Sequence, residues 1–214
     1  MTNQPLLYCI LDLGYVAEAD AERVTAALLA GGADLLQLRA KGHSIGLIES
    51  VARRVLPLCR AAGVPFIVND HPALAADLGA DGVHLGQEDG SLTEARACTG
   101  AGMLIGRSTH SLAQARAAWV DGFDYIGFGP LFPTPTKAGR PAIGLDDIAT
   151  MERDVGTHIP AFCIGGIHPG NLSQVLAAGA RRIVMVSALV QAADIQAVTC
   201  SVVDAFRRRA GDSA

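Results

Sequence analysis

Eight short apolar, β-branched runs punctuate the chain, each closing on a polar or glycine residue. They cover Leu7–Asp12, Asp34–Arg39, Pro65–Asp70, Gly82–Gly86, Met103–Ser108, Asp124–Gly129, Pro160–Gly165 and Arg182–Ser187. Near-continuous apolar stretches of this length predict parallel strands covered on both faces. Helical patterns fill the intervals over Glu22–Ala30, Leu47–Ala61, Ala73–Leu78, Leu92–Cys98, Leu112–Val120 and Leu172–Ala177. Glycine follows each of them, at Gly31-Gly32, Gly63, Gly79, Gly100, Gly122 and Gly179, where a left-handed cap is expected. Ser91-Leu-Thr-Glu94 and Ser111-Leu-Ala-Gln114 read as capping boxes, and Pro169 falls near a helix start.

A recurring helix, glycine, strand unit with eight strands predicts an α/β fold, the (β/α)8 TIM barrel, as one domain over residues 1–214. An open doubly wound sheet is the alternative, but no G-x-G-x-x-G follows the first strand. The chain is short for a barrel, so most loops must be minimal. The exception, Pro130–Gly144, is rich in Pro, Thr and Gly; a long loop after strand six reads as functional.

Composition narrows the function. Half of the 214 residues are apolar and 18% are charged, which excludes a disordered chain. The net charge of −4 offers no general field for nucleic acid or a membrane surface, so any anion site must be built locally. No run reaches the roughly 18 apolar residues of a membrane helix, and the first run has no basic flank of a signal peptide. The five cysteines, Cys9, Cys59, Cys98, Cys163 and Cys200, are widely spaced without metal-ligand patterns, as expected of reduced thiols in a cytoplasmic protein. Of 17 basic residues only two are lysine, Lys41 and Lys137. A position that keeps Lys in an Arg-rich chain suggests a need for a compact ammonium.

Chemistry in such barrels sits at the carboxyl ends of the strands. Strand two closes on Gln37-Leu-Arg-Ala-Lys41, with Gln37 and Arg39 on one face and Leu36 and Leu38 on the other. Strand three ends at Asn69-Asp70, strand four leads through His84 to Asp89, and strand five closes on Arg107-Ser-Thr-His110. Strand six runs into Thr134-Pro-Thr-Lys137, strand seven into Ile164-Gly-Gly-Ile167, and strand eight into Val186-Ser187. Both lysines and two carboxylates thus belong to one rim. Arg39, Lys41 and Lys137 suit a polyanion. Asp70 and Asp89 suit Mg2+, which takes one or two carboxylates plus phosphate oxygens and waters; pairing with the nearby cations is the alternative. Gly165-Gly166 and Ser187 suit a phosphate at strands seven and eight, with a tight turn as the plainer reading of the glycines. Two anion sites are expected: a metal-assisted diphosphate site around strands two to six and a monophosphate site around six to eight. No nucleophile–base pair stands out. His84 reads as a core histidine, His110 as a helix-start residue, and His43, His71, His158 and His168 lack metal spacing.

These segments, with Gly79-Ala-Asp-Gly-Val-His-Leu-Gly-Gln-Glu-Asp89 and Asp124-Tyr-Ile-Gly-Phe-Gly-Pro-Leu-Phe-Pro-Thr-Pro-Thr-Lys137, strongly resemble the thiamine phosphate synthase family. The resemblance spans about Leu7 to Leu189. It implies a (β/α)8 transferase that joins 4-amino-2-methyl-5-hydroxymethylpyrimidine diphosphate to a thiazole monophosphate, yielding thiamine monophosphate and diphosphate. It further implies that Gln37, Arg39, Lys41, Asn69, Ser108 and Lys137 hold the pyrimidine diphosphate, with Arg39, Lys137 and Ser108 catalytic. Asp70 and Asp89 would hold Mg2+, and Thr134, Thr136, Gly166, Val186 and Ser187 the thiazole phosphate. The implied mechanism is dissociative. Ala40, His71 and Arg107 depart from the family's usual pattern without removing an implied ligand, and Arg107 faces either the diphosphate or the helix layer. Two rivals remain: a thiazole tautomerase, which would dispense with the carboxylates, and a non-catalytic thiamine phosphate-binding protein. The partners implied are small molecules, with neither nucleic acid nor membrane; the oligomeric state is left open.

Overall fold

A computed structural model describes residues 6–134 and 141–211, with side chains through Arg208. Eight parallel strands close into a barrel in sequence order: β1 (Leu7–Asp12), β2 (Leu35–Arg39), β3 (Phe66–Asn69), β4 (Gly82–Leu85), β5 (Leu104–Thr109), β6 (Tyr125–Phe128), β7 (Ala161–Cys163) and β8 (Ile183–Met185). β8 returns to β1 with Leu7 opposite Ile183. Around them lie α1 (Ala21–Ala30), α2 (Ile45–Ala62), α3 (Pro72–Leu78), α4 (Leu92–Thr99), α5 (Leu112–Asp121), α6 (Ile148–Asp154), α7 (Leu172–Ala177), α8 (Ser187–Val190) and α9 (Ile195–Gly211). Among the described residues, no helix is long and apolar enough to cross a membrane.

Strand alternation divides the apolar residues into two layers. Leu36, Leu38, Val68, Val83, Leu85, Ile105 and Ile126 pack outward against the helices. A smaller cluster fills the barrel: Tyr8, Ile10, Leu35, Ile67, Tyr125, Phe162 and Val184. Its rings meet edge to face, with the Tyr8 and Phe162 centroids 5.3 Å apart and those of Tyr125 and Phe162 6.0 Å apart. Inward glycines make the room. A Cβ on Gly106 would fall 2.1 Å from the Tyr125 ring, and one on Gly82 2.6 Å from Ile67.

Three strand entries share a device. In Gly32-Ala-Asp34, Gly79-Ala-Asp81 and Gly122-Phe-Asp124, the aspartate N–H donates to a carbonyl of the preceding strand, at Leu7, Phe66 and Ile105 respectively. The aspartate carboxylate accepts the N–H of that same residue, at 3.0, 2.8 and 2.7 Å. Each reciprocal bridge closes the amino-terminal end of a strand pair where the ladder has no further partner.

The sequence reading located all eight strands, but β7 and β8 are three residues each. The chain leaves the sheet before Gly165, whose φ is 101°, and before Val186. A helix after the long loop of strand six was expected without bounds and is α6; α8 was not foreseen. α6 is a seven-residue helix behind the long loop, and α8 continues the apolar run that reads as the end of strand eight. Ser91 and Glu94 form a complete capping box. At the other candidate box Ser111 accepts the Gln114 N–H, but the Gln114 side chain reaches past Ser111 to the N–H of His110. Gly63, Gly79 and Gly122 are left-handed caps, whereas Gly100 is extended in ψ and Gly31 is right-handed, leaving the positive φ to Gly32.

Candidate active site

The carboxyl ends of the strands enclose a cavity of about 610 Å3, within the range of small-molecule sites. Of the residues singled out from the sequence, Gln37, Arg39, Asn69, Ser108, Thr134, Gly166, Val186 and Ser187 line it. Lys41, Asp70 and Asp89 stand together beside it. The Lys41 ammonium lies 3.1 Å from the Asp70 carboxylate, and Asp70 and Asp89 are within hydrogen-bonding reach of each other. Thr136 and Lys137 lie outside the described residues, as does the middle of the Pro130–Gly144 loop.

Local backbone geometry builds the carboxylate pair. Asp70 follows β3 with φ of 66°, a left-handed conformation that aspartate tolerates better than most residues, and its N–H donates to the His84 carbonyl at 2.9 Å. Asp89 folds back within its turn to accept the Gly86 N–H at 2.7 Å. The bare Gly86 lets the carboxylate pack close, since a Cβ there would meet the Asp89 oxygen at 2.5 Å and push it aside. Burial raises the Asp70 carboxyl above its ordinary range, the neighbouring Asp89 adds to that, and Lys41 opposes it. Two crowded, partly desolvated carboxylates fit a hard divalent cation, whose remaining positions go to water or phosphate oxygens. Among the described residues no group of three or more His, Cys, Asp and Glu side chains forms a closed cage.

Arg39 is held from the neighbouring strand. Its guanidinium lies 2.5 Å from the carboxylate of Asp12, the residue opposite it on β1. Asp12 is only 2% exposed and also accepts the Gly14 N–H. The pair neutralises a buried charge and fixes the guanidinium at the cavity wall. Sequence reasoning missed Asp12, whose signal was its place as the last residue of the first apolar run.

A polar chain crosses the cavity floor. The Gln37 amide nitrogen donates to the Tyr8 hydroxyl at 2.6 Å, which lies 3.1 Å from the Tyr125 hydroxyl. Tyr125 meets His84 Nδ1 at 3.3 Å, and His84 Nε2 meets Ser108 Oγ at 2.9 Å. The order that leaves each phenol both accepting and donating runs from Gln37 through Tyr8 and Tyr125 to Nδ1. In a neutral ring that order leaves the imidazole proton on Nε2, donating to Ser108. Burial pushes both phenols above the usual tyrosine range, so they stay neutral. His84 is therefore both a satisfied core histidine and a cavity residue. A serine–imidazole contact, not evident from the sequence, exists in space, but a neutral phenol backs the ring where a nucleophilic triad has a carboxylate. His110 does more than start a helix: its Nδ1 lies 2.5 Å from the Gly129 carbonyl, and the residue lines the cavity.

At the opposite wall Gly165 and Gly166 take positive φ and let the segment after β6 lie across them. A Cβ on Gly165 would fall 2.4 Å from Pro130, and Phe132 donates its N–H to the Gly165 carbonyl. Asn171 ties the next turn by donating to the Gly166 carbonyl and accepting the His168 N–H. Both Asn171 and His168 line the cavity; Asn171 was not considered from the sequence, and His168 was set aside there for want of metal spacing. Arg107 faces the helix layer, its guanidinium 5.3 Å from the Phe123 ring centroid.

Comparison with known proteins agrees with this fold. Residues 7–189 match the family model described as thiamine monophosphate synthase. A thiamine-phosphate synthase of Thermus thermophilus is 50% identical over 181 residues, which cover 85% of this chain and 86% of that one. One from Bacillus velezensis is 40% identical over 193 residues, covering 89% and 86%. The solved thiamine phosphate pyrophosphorylase of Pyrococcus furiosus superposes with a TM-score of 0.85 at 30% identity, covering 96% of this chain and 97% of that one. A closed eight-stranded barrel with its polar residues gathered at one rim, matched over most of its length, places the chain in the thiamine monophosphate synthase family, transferases of thiamine biosynthesis.

Proposed function

We propose that this rim joins a pyrimidinylmethyl diphosphate to a thiazole monophosphate, releasing thiamine monophosphate and inorganic diphosphate. The observation that carries the reading is the juxtaposition of Lys41, Asp70 and Asp89 beside a cavity walled by Arg39 and Ser108. The bond between the pyrimidine methylene carbon and the diphosphate oxygen breaks first, with the electron pair leaving on oxygen. The thiazole nitrogen then donates its lone pair to the methylene cation. Little proton transfer is needed, which suits a floor built of an amide, two neutral phenols, an imidazole and a hydroxyl.

In this reading Asp70 and Asp89 would hold Mg2+, which would supply positive charge against the departing diphosphate. Arg39, Lys41 and Lys137 bind the same group and stabilise that charge, while Asn69 and Ser108 position it by hydrogen bonds. Gln37, anchored on Tyr8, orients the pyrimidine. Thr134, Thr136, Gly166, Val186 and Ser187 hold the thiazole phosphate and align its nitrogen for capture. The reading takes residues 1–214 as one barrel domain. A cytoplasmic location belongs to it as well, supported by five free thiols, three of them buried.

The test mixes both substrates with Mg2+ and follows diphosphate and thiamine phosphate together. Equimolar appearance of the two, abolished by chelator, is expected. Lys137→Ala should lower turnover by about 100- to 1000-fold. Unchanged turnover in that variant removes Lys137 from the mechanism. A wild-type protein that isomerises a thiazole precursor and ignores chelator is a tautomerase instead.

A further inference from the structure

Arg107 stands between Gly106 and Ser108, the two inward residues of β5, yet its own side chain runs outward. Its guanidinium spans the β4–α4 turn, donating to the Gly90 carbonyl at 2.8 Å and to the Gln87 carbonyl at 3.1 Å. Those carbonyls bracket Asp89. Phe123, 4% exposed, lies 5.3 Å from the guanidinium carbon and limits where the fork can go. The Gln87 side chain secures the same turn from the other side, donating to the Ser108 carbonyl at 2.5 Å. Inside the turn Asp89 donates its N–H to the Gly86 carbonyl at 3.3 Å.

The turn has reason to need fastening. Glycine opens it at 86 and closes it at 90, where φ is 97°, so its backbone is intrinsically free. Its aspartate must also be kept against a second carboxylate, Asp70. We propose that Arg107 is a positioning residue: by bridging the carbonyls of residues 87 and 90 it holds Asp89 against Asp70 and pre-forms the divalent-cation site from outside the barrel. The inference rests on the cation reading of Asp70 and Asp89. A planar fork is required, because an ammonium on a lysine stem cannot hold two carbonyls in the same geometry.

The experiment compares wild type with Asp89→Asn, Arg107→Lys and Arg107→Met, the last keeping the aliphatic stem against Phe123. Mn2+ alone is titrated into each protein, free Mn2+ is read by electron paramagnetic resonance, and hydrogen exchange is measured over residues 86–90. Partners that orient a metal ligand are typically worth 10- to 100-fold in affinity. Both Arg107 variants should therefore bind Mn2+ about tenfold more weakly and exchange faster across the turn. The Mg2+ concentration for half-maximal turnover should rise by a similar factor, with turnover at saturating Mg2+ within about twofold of wild type. Wild-type Mn2+ affinity and exchange in both variants, while Asp89→Asn loses Mn2+, would overturn the inference and leave the cation reading intact. Equal Mn2+ affinity in wild type and Asp89→Asn would overturn the cation reading instead. In that case Arg107 is retained as the fastening of this turn only if exchange over 86–90 rises in its variants.

Discussion

Asp12 and Arg39 illustrate how a buried charge is maintained at the scale of single residues. Neither charge is stable alone at the buried foot of the rim cavity, and each justifies the other. Removing one partner leaves the other uncompensated, so Asp12→Ala is expected to cost about 3 to 5 kcal/mol, measured by denaturant unfolding. A loss below about 1 kcal/mol would show that water reaches Arg39 and that the pair is not a buried one. Size is as decisive as charge at Gly106. Its missing side chain is where the Tyr125 ring lies, so Gly106→Ala should destabilise by about 1 to 3 kcal/mol and disturb the hydrogen bond between Tyr125 and His84. Unaltered stability together with an unaltered imidazole tautomer, read by NMR of His84, would contradict that account. Neither Asp12 nor Gly106 was marked in the sequence, because a buried pair and a ring in a void are properties of neighbours across the barrel.

Elements are joined by the Gly-x-Asp strand entries, which give each of three strand pairs two reciprocal hydrogen bonds. Hydrogen bonds to charged groups contribute roughly 1.5 to 3 kcal/mol, and the carboxylate at 81 lies on an exposed residue, so the lower end applies. Asp81→Ala should thus cost about 1.5 kcal/mol, while Asp81→Asn retains most of it. Calorimetry should show a fall in Tm of about 3 to 6 °C for the alanine variant of a chain this size. Equal melting of the two variants would mean that the side-chain bond contributes nothing. The helices and strands themselves were readable one by one, since apolar periodicity and capping residues are local. Their ends were less so: β7 and β8 stop early because Gly165 and Val186 turn the chain toward the cavity, and no local pattern specifies a turn made for a cavity.

At the scale of the whole molecule, the thiols report how completely the barrel and its helix layer exclude water. Cys9, Cys59 and Cys163 are buried, and Cys98 and Cys200 are exposed. Burial pushes Cys59 up to about 12 from 9.0, and Cys9 and Cys163 also upward. A thiol reagent at pH 8 should therefore modify two cysteines in the native protein and five after denaturation. Raising the pH to 9 should recruit none of the buried three. Because the unfolded chain ionises these thiols first, their contribution is fully present below about pH 9 and is lost as pH rises from there toward 12. Reaction of more than two thiols in the folded protein would show that the layer opens.

The sequence determined the barrel, the rim and most of the rim's membership, because those follow from local periodicity and from the rule that barrel chemistry gathers at strand ends. Gln37, Arg39, Asn69, Ser108, Thr134, Gly166, Val186 and Ser187 were legible in that way and line one cavity. Tertiary structure alone decided that Asp12 sits opposite Arg39, that Tyr8, Tyr125 and His84 link Gln37 to Ser108, and that Arg107 turns outward to bracket Asp89. The physical reason is distance along the chain. Hydrogen bonds between residues 17 to 117 positions apart depend on barrel closure and strand register, which set partners without leaving a mark on either residue's immediate neighbours.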